Sequence, residues 1–184
     1  MPVSAELGFG LSSPDFSSLV AVVSDTSPLS YLILIGEVEV LHVLYGEILI
    51  PPAVEKELRS PDGPDPPRMW IGEAPPWLHV EQPPVESSEG WSLKTEAKLQ
   101  ALDQGESQAI RLAEATGSEL LIIDERDGRK AAKEVGLRIT GTLGVLDEAA
   151  SDGLVDAQCA AERLQETSFR ASSELYQWLI GRHS

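Results

Sequence analysis

Two aspartates stand where a strand would give way to a helix, and each could present a carboxylate to a ligand. Asp25 lies just beyond the apolar run Leu19-Val20-Ala21-Val22-Val23, and Asp124 directly follows Leu120-Leu121-Ile122-Ile123. In open α/β sheets ligands sit beyond the carboxyl ends of the strands, so both acids fall on the edge where such folds work. Capping the next helix is the competing role for an aspartate at this position. Ser27 followed by Pro28 already reads as an N-cap and a first helical residue, which leaves Asp25 without that duty.

Glu106 adds a third carboxylate with two roles open to it. Asp103-Gln104-Gly105-Glu106 reads as a capping box. Glu106, Ala109, Ile110 and Ala113 also recur at helical spacing, which puts the acid on the core-facing stripe. A charge there is costly unless it is paired or bound to a cation. Glu57 neighbours Val54 and Leu58 on a shorter helix and either faces inward or lies solvated, with Glu55 as the competing acid. Glu125 and Asp127 flank the turn at Asp124. Carboxylates meeting from several elements suit Mg²⁺ or Mn²⁺, hard ions that prefer oxygen ligands. Such a centre supports in-line displacement at a phosphodiester. Arg126, Arg129, Lys130, Lys133 and Arg138 supply five of the 14 basic residues close behind Asp124. They either hold a phosphate backbone or form the polar face of an amphipathic helix.

The elements that must position these acids alternate along the chain. Residues 1–18 are rich in Ser, Gly and Pro, carry no cation, and read as a flexible extension; residues 19–184 read as one domain. The strand at 19–23 is followed by helices over about Leu29–Ile35 and Glu37–Leu44, the strand Glu47–Ile50, and a helix opened by Pro51-Pro52. Residues 60–89 hold most of the 13 prolines and read mainly as a long loop or lid insertion, anchored by Trp70, Trp77 and Val80. A short helix near Arg68 and an extended piece at 78–80 are compatible with that reading. A helix from about Asp103 to Thr116 comes next, then the strand 120–123, a helix from Arg126 to Val135, and the strand Leu137–Thr140. Helices over Leu143–Ala150, Val155–Glu166 and Ser173–Ile180 close the pattern. Strands alternating with helices predict a parallel sheet covered on both faces.

Composition narrows the function. With 184 residues, 42% hydrophobic and 24% charged, the chain suits a single globular core. No apolar run approaches the roughly 18 residues that span a bilayer, and the start lacks the pattern of a signal peptide. The single cysteine, Cys159, makes no internal disulfide, so a reducing, cytoplasmic setting is expected. No G-x-G-x-x-G or phosphate loop occurs, and His42, His79 and His183 lack zinc spacing. The net charge of -16 opposes a nucleic-acid partner unless some of the acids form a metal site, where the cation reverses the local field. A solubilising acidic surface is the other explanation.

Several segments in order then resemble PIN domains: Asp25-Thr26-Ser27-Pro28-Leu29, Ile50-Pro51-Pro52-Ala53-Val54-Glu55-Lys56-Glu57-Leu58, Gly105-Glu106-Ser107-Gln108-Ala109-Ile110, and Leu121-Ile122-Ile123-Asp124-Glu125-Arg126-Asp127-Gly128-Arg129. Thr140-Gly141-Thr142-Leu143-Gly144-Val145-Leu146 and the late Phe169-Arg170 are similar to the prokaryotic single-domain branch grouped with VapC-type toxins of type II toxin–antitoxin pairs. The resemblance implies a three-layer α/β/α sandwich with a central parallel sheet of four or five strands. It implies a Mg²⁺- or Mn²⁺-dependent endoribonuclease built on Asp25, Glu57, Glu106 and Asp124. Metal ligation is assigned to Asp25, Glu106, Asp124 and Asp127, with Thr26, Ser27 and Thr142 in support and Arg126, Arg129 and Lys130 along the RNA backbone. The family often carries its last acid two residues beyond a strand-ending Ser or Thr, whereas Ile123 precedes Asp124 here, so Glu125 and Asp127 remain alternatives. A small antitoxin partner and a homodimer are expectations of the resemblance alone. The competing function is a PIN-like module without catalysis that binds RNA or protein.

Overall fold

The computed structural model describes residues 21–84 and 93–183. In chain order the elements are β1 (Val22–Ser24), α1 (Thr26–Leu34), α2 (Val40–Tyr45), β2 (Ile48–Ile50), α3 (Pro52–Leu58), α4 (Asp65–Gly72), β3 (Leu78–Val80), α5 (Leu93–Gln100), α6 (Gln104–Ala115), β4 (Leu120–Ile122), α7 (Arg126–Glu134), β5 (Ile139–Thr140), α8 (Thr142–Ser151), α9 (Ala157–Gln165) and α10 (Ser173–Arg182). The expected extension at 1–18 lies outside the described residues. Among the described residues no helix is long and apolar enough to cross a membrane.

Five parallel strands line up in the order β3-β2-β1-β4-β5. Helices cover both faces, the architecture expected from alternating strands and helices. Successive side chains along a strand point to opposite faces, and the buried residues sort accordingly. Val22, Ile48, Ile50 and Ile122 face a core shared with α1, α2, α8 and α9. Val23, Leu49, Leu121 and Ile123 face a second core built with Leu99 of α5, Ile110 of α6 and Ala132 of α7. Such near-continuous apolar runs are what a sheet buried on both faces requires.

The winding sets the functional edge. From β1 the chain moves outward to β2 and β3, then crosses back to place β4 on the other side of β1. The direction of winding therefore reverses between β1 and β4, and ligands of open α/β sheets bind in the crevice at that reversal.

Two local expectations are corrected. Ser27 does not cap α1: the helix begins at Thr26, Asp25 occupies the N-cap position, and no side chain caps it. Pro28 lies inside the first turn rather than at its first position, a place where its missing N–H costs nothing. As far as residue 84, the Pro-rich segment carries the short helix and extended piece compatible with its sequence rather than loop alone. Pro66 and Pro67 fall in the first turn of α4, where proline is tolerated, and Leu78–Val80 adds the edge strand β3. Trp77 and Ile71 anchor this segment, whereas Val80 is 44% exposed. Helix α5 was not anticipated.

Candidate functional site

Asp25 is held at the carboxyl end of the central strand, where its backbone N–H donates to Ile122 O at 2.9 Å. The residue is 3% exposed. Burial pushes its carboxyl group up to about 8, and repulsion from Asp103, Glu106 and Glu57 adds to the shift against a hydrogen bond from the Thr26 backbone.

Glu106 takes the first of its two expected roles with one oxygen only. Asp103 Oδ1 accepts the Glu106 N–H at 2.8 Å, and Glu106 Oε2 accepts the Asp103 N–H at 3.3 Å, closing the capping box. The same residue sits on the stripe of Ala109, Ile110 and Ala113 and is 5% exposed. Its Oε1 is buried with no hydrogen-bond partner. Burial, then the charges of Asp103 and Glu125, push this carboxyl up to about 7.

Glycines make room for the acids. A Cβ on Gly105 would lie 3.1 Å from Glu57 Oε2 and 3.3 Å from Asp25 Oδ1, so these two carboxylates share the space over the first turn of α6. A Cβ on Gly128 would come within 2.6 Å of Glu106 Oε1, which places the unpartnered oxygen against the first turn of α7. Glu57 is exposed on α3 and accepts a hydrogen bond from Thr26 Oγ1. It turns toward Asp25 rather than inward between Val54 and Leu58. Ser27 stays partly exposed in the first turn of α1.

Asp124 stands two residues past β4, beside Asp25 in the sheet order, but its side chain turns the other way. Oδ1 accepts the Thr142 N–H at 2.8 Å and Oδ2 the Thr142 hydroxyl at 2.6 Å. Helix α8 has Gly141 at its N-cap and no side-chain cap of its own, so Asp124 caps it from the end of the neighbouring strand. The capping role considered for Asp124 therefore exists, for a helix other than the one it precedes. Burial raises its pKa, and the Thr142 bonds and Arg129 pull it back. Of the supporting residues, Thr142 acts on Asp124. Asp127 is exposed on α7, and Glu125 is the acid of this turn whose charge reaches both Glu106 and Asp124.

Among the described residues, no three His, Cys, Asp or Glu side chains are gathered closely enough to hold one ion as they stand. Asp25, Glu57 and Glu106 converge with Asp103, while Asp124 is drawn off onto Thr142. Like charges in one pocket relax onto neutral donors, and Thr26, Asp103 N and Thr142 are the donors at hand. The residues still fit a hard divalent ion. Every candidate ligand is a carboxylate oxygen, and a buried oxygen with no donor is an acceptor that a cation satisfies.

The nominated cations divide. Arg129 Nη1 donates to Ile123 O at 2.8 Å and Thr140 O at 3.0 Å, clipping the ends of β4 and β5 together. Arg126 is exposed and lines a cleft of about 780 Å³ that starts at Asp124 and Glu125 and reaches α10. Lys130 is exposed on α7 outside that cleft. Reasoning from sequence missed Asp103 as an electrostatic member of the cluster, although the capping box had already placed it beside Glu106. It also missed the α10 side of the cleft, for which Phe169-Arg170 was the only local signal.

No curated protein matches this sequence. A family model described as PIN domain, DUF3368, matches residues 21–184, nearly the whole chain. A five-stranded parallel sheet between helical layers, with acids at the reversal between β1 and β4, is in keeping with that match, and the chain belongs to this PIN-domain family.

Proposed function

We propose that the chain is a metal-dependent endoribonuclease. PIN domains are generally nucleases, and one observation carries the finer reading. Glu106 Oε1 is a buried, unpartnered carboxylate oxygen against the first turn of α7, and the Glu106 charge acts on Asp25 where the sheet reverses its winding. Asp25 and Glu106 would hold Mg²⁺ or Mn²⁺, with Asp124 joining from the adjacent strand end. Glu125 replaces Asp127 as the further candidate of that turn, because the charge of Glu125 acts on both Glu106 and Asp124. When bound, such an ion supplies Lewis acidity and charge neutralisation for hydrolysis of a phosphodiester.

The protein's own groups supply orientation. Thr26 steers Glu57 over Gly105, and the Asp103 cap holds the Glu106 backbone still while leaving one oxygen for the ligand. The neutralising ion also answers the net charge of -16, since an acidic pit repels phosphate only while its charges are unbalanced.

A second reading, a PIN-like module that binds RNA or protein without cutting, is favoured by the absence, among the described residues, of three such side chains close enough to hold one ion. Titration with Mn²⁺ alongside RNA cleavage separates the two. We expect binding, cleavage that EDTA stops, and a loss of about a hundredfold or more in both for Asp25→Asn and Glu106→Gln. Equal cutting by wild type and Glu106→Gln would overturn the nuclease. The toxin role, a small antitoxin partner and a homodimer rest on resemblance; a small adjacent reading frame and the mass in solution test them.

A further inference from the structure

The cleft that begins at Asp124 and Glu125 carries features that the acid cluster does not explain. Its far wall is formed by Phe169 and Arg170, and by Trp178 of α10. In a chain of net charge -16, the exposed Lys56, Lys130, Lys133 and Arg138 have no ion-pair partner among the described residues but lie off this cleft, and several other cations are paired. Arg59 meets Glu55, Arg68 meets Asp65, Lys98 meets Glu134, and Arg163 meets Glu37. Arg126 and Arg170, distant in sequence but both exposed on this cleft, have no side-chain hydrogen-bond or ion-pair partner among the described residues. Unpaired guanidinium groups in an acidic protein are places where an anion is welcome.

Trp178 is the second observation. It is 43% exposed, unusual for the largest apolar side chain, and it lines the same cleft. The Arg182 guanidinium lies 5.3 Å from the centre of its ring and is itself held by Asp147 at 2.9 Å. The indole is thus braced by a tethered cation while ring surface remains open to the cleft. Phe169 is pinned edge-on against Tyr31, with ring centres 4.9 Å apart. A braced aromatic surface next to free arginines and the Asp124–Glu125 turn fits a strand whose bases can leave their stack.

We propose that Trp178 is a stacking platform for an unpaired base adjoining the phosphate at Asp124 and Glu125, with Arg170 and Arg126 holding the flanking phosphates. The site would therefore select single-stranded over paired RNA. This rests on the nuclease reading for its substrate, yet binding can be tested apart from cutting. A duplex keeps its bases paired inside the helix and offers no free face to the indole, whereas a single strand stacks on it at little cost.

The experiment measures anisotropy of a labelled, unpaired oligoribonucleotide in an Asp25→Asn background, which is expected not to cut. Stacking on an aromatic side chain is worth about 1–3 kcal/mol per base, so Trp178→Ala should weaken binding by roughly five- to 150-fold. Trp178→Phe should recover most of it, and the same sequence in a duplex should bind more weakly to the parent. Arg170→Ala should lower the slope of log affinity against log salt by about one. In the cutting enzyme, Trp178→Ala should raise KM with kcat nearly unchanged. Circular dichroism of each variant checks the fold. Equal binding by Trp178→Ala and the parent, or equal affinity for single strand and duplex, would overturn the platform, as would an oligoribonucleotide that does not bind while an acidic peptide does. Stacking-dependent binding without cleavage in wild type would uphold the platform and defeat only the nuclease.

Discussion

At the scale of single residues, the cluster concentrates negative charge where water cannot screen it. Asp25 is pushed up to about 8 and Glu106 up to about 7, in both cases by burial first and neighbouring acids second. Each group binds its proton more tightly folded than unfolded, so unfolding becomes easier as pH rises from the ordinary carboxylate range through those values. Asp124 shifts in the same direction. The expected outcome in EDTA is a Tm that falls as pH climbs from about 5 to about 8, a smaller fall in Asp25→Asn, and a flatter profile once Mg²⁺ or Mn²⁺ is added. A Tm that rises over that interval without metal would show that these carboxyls are not held protonated by the fold.

At the scale of elements, the site depends on how closely α6 and α7 approach. Gly128 lies in the first turn of α7, where a Cβ would press within 2.6 Å of both Glu106 Oε1 and Ile123 Cδ1. Both atoms end flexible side chains, so they can be pushed aside without moving backbone. Alanine is favoured over glycine in a helix by up to about 1 kcal/mol, which offsets part of the crowding. Gly128→Ala should therefore change Tm little while lowering Mn²⁺ affinity and RNA cleavage by about tenfold or more. Calorimetry beside a cleavage assay checks it; a variant that unfolds, or one that cuts at the parent rate, contradicts the argument. Elements also show where sequence signals mislead. Among its described residues, helix α5 contributes Leu99 alone to the core, too narrow an apolar stripe to recognise from periodicity. Helix α4 is the short helix compatible with the sequence near Arg68, and two of its prolines sit in a first turn that accepts them.

For the whole molecule, the charge of -16 acts on folding and on RNA in opposite ways. Self-repulsion strains the compact state, and added salt screens it. The same salt weakens every phosphate contact. Raising NaCl from about 0.05 to about 0.5 M should increase Tm while reducing affinity for an unpaired oligoribonucleotide by tenfold or more. Thermal unfolding and anisotropy over one salt series test both halves. A Tm that drops with salt would mean that exposed ion pairs, such as Arg68–Asp65 and Lys98–Glu134, outweigh the repulsion.

The sequence by itself determined the alternation of strands and helices, the aspartates at two strand ends, and the capping box of Glu106. These depend on neighbours a few positions away, and local periodicity and capping chemistry encode them directly. Only the tertiary structure decided that β1 and β4 lie side by side, which makes Asp25 and Asp124 neighbours across nearly a hundred residues of chain. It also turned Asp124 onto Thr142, gathered Asp103 with Glu57 and Asp25, and brought Trp178 to the same cleft as Arg126. Where a polar side chain points is set by the donors and charges that distant segments bring within reach, and no spacing along one chain records that.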